Sequence, residues 1–158
     1  MSPDTTKPSW CNNGNGLTDF LELSYSELKE RNLKIKKEAE NGKSKEEFEK
    51  EMLEVLKNEA KIKSVLTAFC DLEGKLQLLD YDKEFLLTSM DNLTFDGSSI
   101  SGFSTQDKSD LRLKIDFSSF RWLPCDVFGP GKVLVFANVF DQDGTAFGSD
   151  FRVQLQMM

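Results

Sequence analysis

The sequence predicts an α+β fold in which a mixed sheet of about five strands has helical cover and follows a helical hairpin. Two amphipathic helical patterns precede residue 61, and short apolar runs separated by glycine turns follow from Ser64 onward. The 158 residues include 13 Phe, 2 Trp and 2 Tyr, and 39% of them are hydrophobic. This apolar content is enough to build a core, so the composition excludes a globally disordered chain.

The helical hairpin is predicted from two capping boxes, one headed by Ser24 and one by Ser44. In each box a glutamate follows the serine by three positions, so that the hydroxyl and the carboxylate each bind an amide of the first turn. An apolar stripe follows each box, with Leu21, Tyr25, Leu28, Ile35 and Ala39 in the first helix and Phe48, Met52, Val55, Leu56 and Ala60 in the second. We expect the pair to pack on the domain or on a partner; acidic residues interleaved with the basic ones disfavour calmodulin-like or membrane targeting.

From Ser64 onward the pattern is that of strands. Residues 65–69 and 75–79 are apolar runs on either side of a turn that ends at Gly74, and residues 82–88 are typical of a short helix. Residues 111–116 alternate between apolar and polar, which predicts a half-buried strand. Residues 133–140 are nearly all apolar and are predicted to form the most buried strand. No internal repeat is expected.

Composition also narrows the classes of function. The formal net charge is −7 without a clustered basic face, which disfavours nucleic acid and membrane as partners. The absence of histidine excludes Ser-His-Asp triads and histidine-based metal motifs. Cys11, Cys70 and Cys125 are widely spaced, which predicts free thiols in a reducing compartment. No signal peptide or membrane span is expected, so the predicted localisation is cytoplasmic.

The most informative segment is the run F-D-G-S-S-I-S-G-F, from Phe95 to Phe103, which Ser109-Asp110-Leu111 follows. On the residues alone it is either a glycine and hydroxyl loop that lines a polar ligand site or an Asx turn between two strands. An F-x-D…G-K pattern precedes it at residues 69–75, and Asp150-Phe151-Arg152 follows it. With these motifs in this order, residues 55–152 resemble the N-terminal β-grasp domain of glutamine synthetase. Three positions depart from the family pattern, with Ile115 and Phe151 in place of proline and Asn138 in place of aspartate.

The resemblance implies a site on this loop. Asp96 matches the family aspartate of the ammonium site, where a carboxylate holds the cation and helps to remove its proton. Ser99 matches the serine beside it, so Asp96 and Ser99 are the implied catalytic residues. The implied substrate-binding set is Asp96, Gly97, Ser98, Ser99 and Phe103, and no metal ligand is expected. In the family, this small domain packs against the active-site barrel of a neighbouring subunit.

The resemblance also implies what the chain is expected to lack. In the family, ATP and Mg or Mn are held by a catalytic barrel domain, so we expect no cofactor in this chain and no activity from it alone. The first hypothesis is an N-terminal domain, in truncated or split form, whose partner is a glutamine synthetase catalytic domain or subunit. The alternative is a free-standing, non-catalytic interaction module that uses its sheet edge and helical hairpin. A homo-oligomer is compatible with both.

These expectations divide the chain into three parts. Residues 1–16, rich in Pro, Ser, Thr, Asn and Gly, are predicted to be a disordered tail. Residues 17–54 are assigned to the helical hairpin, and residues 55–158 to the β-grasp domain.

Overall fold

The computed structural model describes residues 23–100, 103 and 109–158 of the chain. The predicted tail at residues 1–16 and the position of Leu21 lie outside these residues. In chain order the elements are α1 (Tyr25–Glu40), α2 (Lys45–Asn58), β1 (Ser64–Cys70), β2 (Leu76–Asp82), α3 (Lys83–Ser89), β3 (Leu93–Asp96), β4 (Asp110–Trp122), α4 (Cys125–Phe128), β5 (Lys132–Phe140) and α5 (Phe151–Met157). No helix among the described residues is long and apolar enough to cross a membrane.

The strands form one mixed sheet in the order β2-β1-β5-β4-β3. β1 and β5 are parallel, and the other neighbouring pairs are antiparallel. Parallel neighbours need a long connection between them. Here the chain between β1 and β5 forms β2 at one edge of the sheet and then β3 and β4 at the other edge before it returns as β5. This arrangement confirms the predicted α+β fold and its sheet of about five strands.

Both capping boxes are present, and they explain where the helices begin. Ser24 N donates to Glu27 Oε2 at 2.9 Å, and Ser44 N donates to Glu47 Oε2 at 3.0 Å. The serine hydroxyls accept the reciprocal bonds from the backbone amides of the two glutamates. At the end of α1, Gly42 has a φ of 86°, which a glycine adopts at little cost, and the chain turns there into α2.

The helical hairpin is part of the core. The apolar residues of α1 and α2 join the inner face of the sheet in one buried cluster, which includes Leu28, Ile35, Phe48, Met52, Val55, Leu56, Val65, Phe120, Val133 and Val135. Three members of the predicted stripes are exposed: Tyr25 and Ala39 lie in the first and last turns of α1, and Ala60 follows the end of α2. The boundary drawn at residue 55 falls inside α2, and the division into three parts stays a prediction.

The prediction that residues 133–140 form the most buried strand is wrong. In β5 only alternate residues are buried, whereas five consecutive residues of β1 are buried. On the outer face, opposite the hairpin, Ala68 of β1 lies beside Phe136 of β5 in the sheet register. Ala68 is buried at this position, whereas the larger Phe136 is half-buried.

A side chain of α1 covers the far end of β4. β3 pairs only with Asp110 to Leu113, so the rest of β4 extends beyond it. There, Asn32 Nδ2 donates to Trp122 O at 3.0 Å, and Trp122 N donates to Asn32 Oδ1 at 2.8 Å. A side-chain amide carries the same donor and acceptor as a peptide group. Asn32 therefore takes the place of a neighbouring strand at this end of the sheet.

Candidate functional site

The loop that follows β3 begins with a hydrogen-bonded Asx turn at Asp96. Asp96 Oδ1 accepts hydrogen bonds from Ser98 N at 2.9 Å and from Ser98 Oγ at 2.6 Å. Ser99 Oγ donates to Asp96 O at 3.0 Å, which closes a single 3-10 turn over Gly97–Ser99. One of the two interpretations left open by the sequence, the Asx turn, is thus present, and it fixes the orientation of the carboxylate.

The Asp96 carboxylate is an exposed anion. The hydrogen bond from the Ser98 hydroxyl, followed by that from the Ser98 amide, lowers the pKa of Asp96 below its usual value. Both of these bonds end on Oδ1, and no salt bridge between described residues involves Asp96. The turn therefore presents a fixed negative charge at the surface.

Gly97 is required by a close approach of two segments. Its amide donates to Ser109 O at 2.6 Å, and a Cβ added to it would lie 2.6 Å from Cδ1 of Leu111. Leu111 is only 1% exposed, so its side chain has little room to move. The glycine lets the loop lie flat against β4, and its φ is not positive.

Phe103 anchors the loop to the core. Its ring is 4% exposed and lies 5.9 Å from the Phe69 ring and 5.2 Å from the Phe147 ring, centroid to centroid. Such aromatic pairs add to the energy of burial. The structure thus places this ring in the core beneath the loop, and the assignment of Phe103 to substrate binding stays a prediction.

The sequence contains a second copy of the same turn, which the sequence analysis did not single out. Asp116-Phe117-Ser118-Ser119 repeats the Asp-x-Ser-Ser pattern of the loop. Asp116 Oδ1 accepts hydrogen bonds from the amide and the hydroxyl of Ser118, and the Ser119 hydroxyl donates to Asp116 O. The register of β4 against β5 shifts after Asp116, so this copy forms a bulge. The repeated spacing was the signal that could have revealed it.

The carboxylate of the second turn is paired with a cation. Arg152 Nη2 donates to Asp116 Oδ2 at 2.6 Å, and Arg152 Nη1 donates to Asn138 Oδ1 at 2.6 Å. Burial raises the pKa of Asp116, but the hydrogen bonds from Ser118 and Arg152 outweigh it, and the net effect lowers the pKa. The family motifs around Asp116, Asn138 and Arg152, which are far apart in sequence, therefore meet in one network.

Asp150 begins α5, a helix that the sequence did not predict. Its carboxylate is 1% exposed, and Oδ1 accepts from Arg152 N at 2.9 Å while Oδ2 accepts from Val139 N at 2.7 Å. Asp150 thus caps α5 and ties it to β5. Asp150 was visible in the sequence, but it was interpreted only as part of the family motif Asp150-Phe151-Arg152.

Among the described residues of the loop, one group is placed to attract a cation. Asp96 offers a fixed carboxylate, and the hydroxyls of Ser98 and Ser99 are engaged within the turn. No group of three or more His, Cys, Asp or Glu that could hold a metal ion occurs in the part of the chain that the structure describes.

A five-stranded sheet in the order β2-β1-β5-β4-β3, with a D-G-S-S turn after β3, defines a β-grasp domain. Comparison with protein families gives the particular class: residues 61–142 match the glutamine synthetase β-grasp domain model. The match covers more than half of the chain. The chain therefore belongs to the glutamine synthetase β-grasp domain family.

Curated relatives are similar to this chain over one part of their length. The glutamine synthetase of Thermotoga maritima is 35% identical over 101 residues, which is 63% of this chain and 23% of that protein. The glutamine synthetase of Methanosarcina mazei is 34% identical over 107 residues, which is 67% of this chain and 24% of that protein. The chain thus spans about a quarter of the length of these relatives.

Solved structures share the fold. The glutamine synthetase of Plasmodium falciparum superposes with a TM-score of 0.60 at 24% identity, over 68% of this chain and 21% of that one. A complex of GmaS with ADP superposes with a TM-score of 0.57 at 22% identity.

Replacing Gly97 with Ala is expected to lower the free energy of unfolding by about 1–3 kcal/mol, because the new methyl group would overlap the buried Leu111 side chain. Gly148 is a matched control, since a Cβ there meets nothing within 4 Å and its φ is not positive. Gly148→Ala should change the stability by less than about 0.5 kcal/mol. Urea unfolding of both variants measures the difference, and equal losses would contradict the close approach.

Proposed function

We propose that this chain completes the ammonium side of a glutamine synthetase active site that is formed together with a catalytic domain of another subunit or polypeptide. On its own the chain is not catalytic. Its family membership and its curated relatives, which are named glutamine synthetases, support the proposal. The position of the D-G-S-S turn, exposed at the end of β3, supports it as well.

The aspartates of the two Asp-x-Ser-Ser turns differ in the partner of Oδ2, and this difference is the main support for the proposal. Both turns use Oδ1 of the aspartate to hold the serine. In the second turn, Oδ2 of Asp116 binds Arg152 of the same chain. At Asp96, no residue in the described part of the chain supplies a cation. An ammonium ion bound between the chain and its partner would take the corresponding place.

The lowered pKa of Asp96 supports a role in binding the cation. A carboxylate that stays ionised at neutral pH attracts a cation, and its fixed orientation avoids reorganisation when the cation arrives. The same low pKa makes it a weak proton acceptor. We therefore assign Asp96 first to holding and orienting ammonium. Ser99 is a positioning residue, because its hydroxyl binds the Asp96 backbone carbonyl.

Phosphoryl transfer from ATP to an acid requires divalent metal ions and residues that position the phosphates. We assign ATP, the metal ions and glutamate to the catalytic partner. The purified chain is accordingly expected to form no glutamine from glutamate, ammonium and ATP with magnesium or manganese. Turnover that stays with the chain through purification and is lost in Asp96→Ala would contradict this division of roles.

A chimera tests the role of Asp96. The full chain, whose helical hairpin and Arg152 belong to the same folded unit, replaces the matching 101-residue region of the Thermotoga maritima glutamine synthetase. The chimera is expected to make glutamine. Asp96→Asn should raise its KM for ammonium by more than about tenfold and leave its KM for ATP unchanged, because the substitution removes the charge that binds the cation.

Matched variants separate charge from turn structure. Asn at position 96 retains an acceptor for Ser98, so Asp96→Asn should keep the unfolding transition of the isolated chain. Ser98→Ala removes the hydroxyl bond and keeps the charge, so it should retain most of the ammonium affinity of the chimera. The proposed role would be overturned if the folded Asp96→Asn chimera kept full activity. It would also be overturned if Asp96→Asn and Ser98→Ala lowered the ammonium affinity equally.

A further inference from the structure

The motif Ser109-Asp110-Leu111 lies beside the D-G-S-S turn. In the sheet register Asp96, the last residue of β3, lies directly opposite Asp110, the first residue of β4. Two carboxylates therefore face each other across the strands, at the point where the loop begins and ends. Like charges that lie directly opposite each other destabilise a sheet, so this pair is unfavourable for the fold.

The backbone hydrogen bonds show how close the two side chains are. Gly97 N donates to Ser109 O at 2.6 Å, so the residues that adjoin the pair are bonded to each other. In an antiparallel ladder this pattern identifies a pair that is not itself hydrogen-bonded, in which the Cα atoms are about 4.5 Å apart and the side chains lie closest. Leu111 is buried in the core, so Asp96 and Asp110 share the opposite face of the sheet, where both are exposed.

The described part of the chain does not neutralise this pair. Neither carboxylate forms a salt bridge with another described residue. Arg112 is the next residue of β4 on the same face, but its charge acts on Asp143 in the turn after β5. At Asp96 the bonds from Ser98 both end on Oδ1. Two negative charges are therefore held side by side at the proposed ammonium site.

Water makes the pair tolerable in the isolated chain, and a partner would change this. Both carboxylates are exposed, so solvent and salt screen their repulsion. A catalytic domain that covers the loop excludes this water, and the repulsion between the two charges becomes stronger as the effective dielectric constant falls. A cation between the carboxylates reverses the sign, because it is attracted by both of them.

We propose that Asp110 is a second carboxylate of the ammonium site and binds the cation together with Asp96. This inference rests on the proposed function and adds a residue to its site. The Asx turn fixes the Asp96 carboxylate, and the pairing of β3 with β4 holds Asp110 beside it. Two carboxylates attract the ammonium cation and not neutral ammonia, so the pair selects the protonated form of the substrate.

Urea unfolding of the full chain tests the repulsion. Asp110→Asn should raise the urea midpoint, because Asn has the same shape without the charge, and added salt should reduce the difference from the wild type. The matched control is Asp82→Asn at the opposite edge of the sheet, where Asn retains the cap of α3; it should change the midpoint less. A lower midpoint in Asp110→Asn would overturn the proposal, because other groups of the chain, such as residues 104–108, would then bind this carboxylate.

Kinetics of the chimera test the cation. Asp110→Asn should raise the KM for ammonium by about three- to tenfold and leave the KM for ATP and the magnesium requirement unchanged, whereas Asp82→Asn should alter none of them. If Asp96→Asn raises the KM for ammonium and Asp110→Asn does not, this inference fails and the proposed function stands. If neither variant raises it, both fail. A raised magnesium requirement in place of a raised KM for ammonium would make the pair a metal site and would also overturn the inference.

Discussion

Replacing Phe48 with Ala is expected to lower the free energy of unfolding of the whole domain by about 3–5 kcal/mol. Phe48 is 0% exposed in α2 and belongs to the same buried cluster as Val133 and Val135 of β5. The cavity would therefore open beneath the sheet, and the strands should unfold together with the hairpin in one transition. Urea unfolding followed by circular dichroism, with hydrogen exchange of the β5 amides, measures both effects.

The matched control is Phe85→Ala, because Phe85 is 53% exposed on α3. It should cost less than half as much as Phe48→Ala, since little apolar surface leaves the core. If Phe48→Ala melts the helices but leaves β5 exchange unchanged, the hairpin is an appended unit, and the single core described above does not exist.

Replacing Arg152 with Met is expected to lower the free energy of unfolding at neutral pH by about 2–3 kcal/mol, since the Asp116 carboxylate is 8% exposed and would lose its cation. The loss is smaller than for a fully buried pair because the Arg152 side chain is 27% exposed. The matched control is Lys132→Met, which breaks the salt bridge to the more exposed Asp80 and should cost less than about 1 kcal/mol.

The cost of Arg152→Met should depend on pH with a definite sign. The pKa of Asp116 in the folded chain is lowered, so its pairing stabilises the fold above the ordinary carboxyl pKa and ceases to do so as the pH falls through the folded pKa. In the variant the lowering of the Asp116 pKa by Arg152 is lost, so Asp116 should be protonated at a higher pH than in the wild type, and protonation removes the unpaired charge. The difference between wild type and variant should therefore shrink below about pH 4. A difference that stays constant from pH 7 to about pH 3 would show that Arg152 acts by packing alone.

Local signals in the sequence predicted the starts of α1 and α2 correctly. A capping box needs only residues within one turn, so Ser24 and Ser44 identified where α1 and α2 begin. Burial depends on the remainder of the fold, which the periodicity alone does not contain. That is why Tyr25 was assigned to a buried stripe although 61% of its surface is exposed.

The candidate site shows the same limit. The Asx turn at Asp96 follows from its own four residues and was among the interpretations open from the sequence. The contact between Asp116 and Arg152 joins residues 36 positions apart, and no local pattern specifies it. The core position of Phe103 likewise depends on Phe69 and Phe147, which approach only after the sheet has formed.

The contact between Asn32 and Trp122 sets a limit on how α1 can vary. An amide that replaces a strand must face β4 at one angle, and an α-helix turns by about 100° with each residue. Substitutions on the solvent side of α1 leave that angle unchanged, whereas adding or removing one residue between Ser24 and Asn32 rotates the amide away from Trp122. In this domain the length of α1 is therefore constrained more tightly than its surface composition.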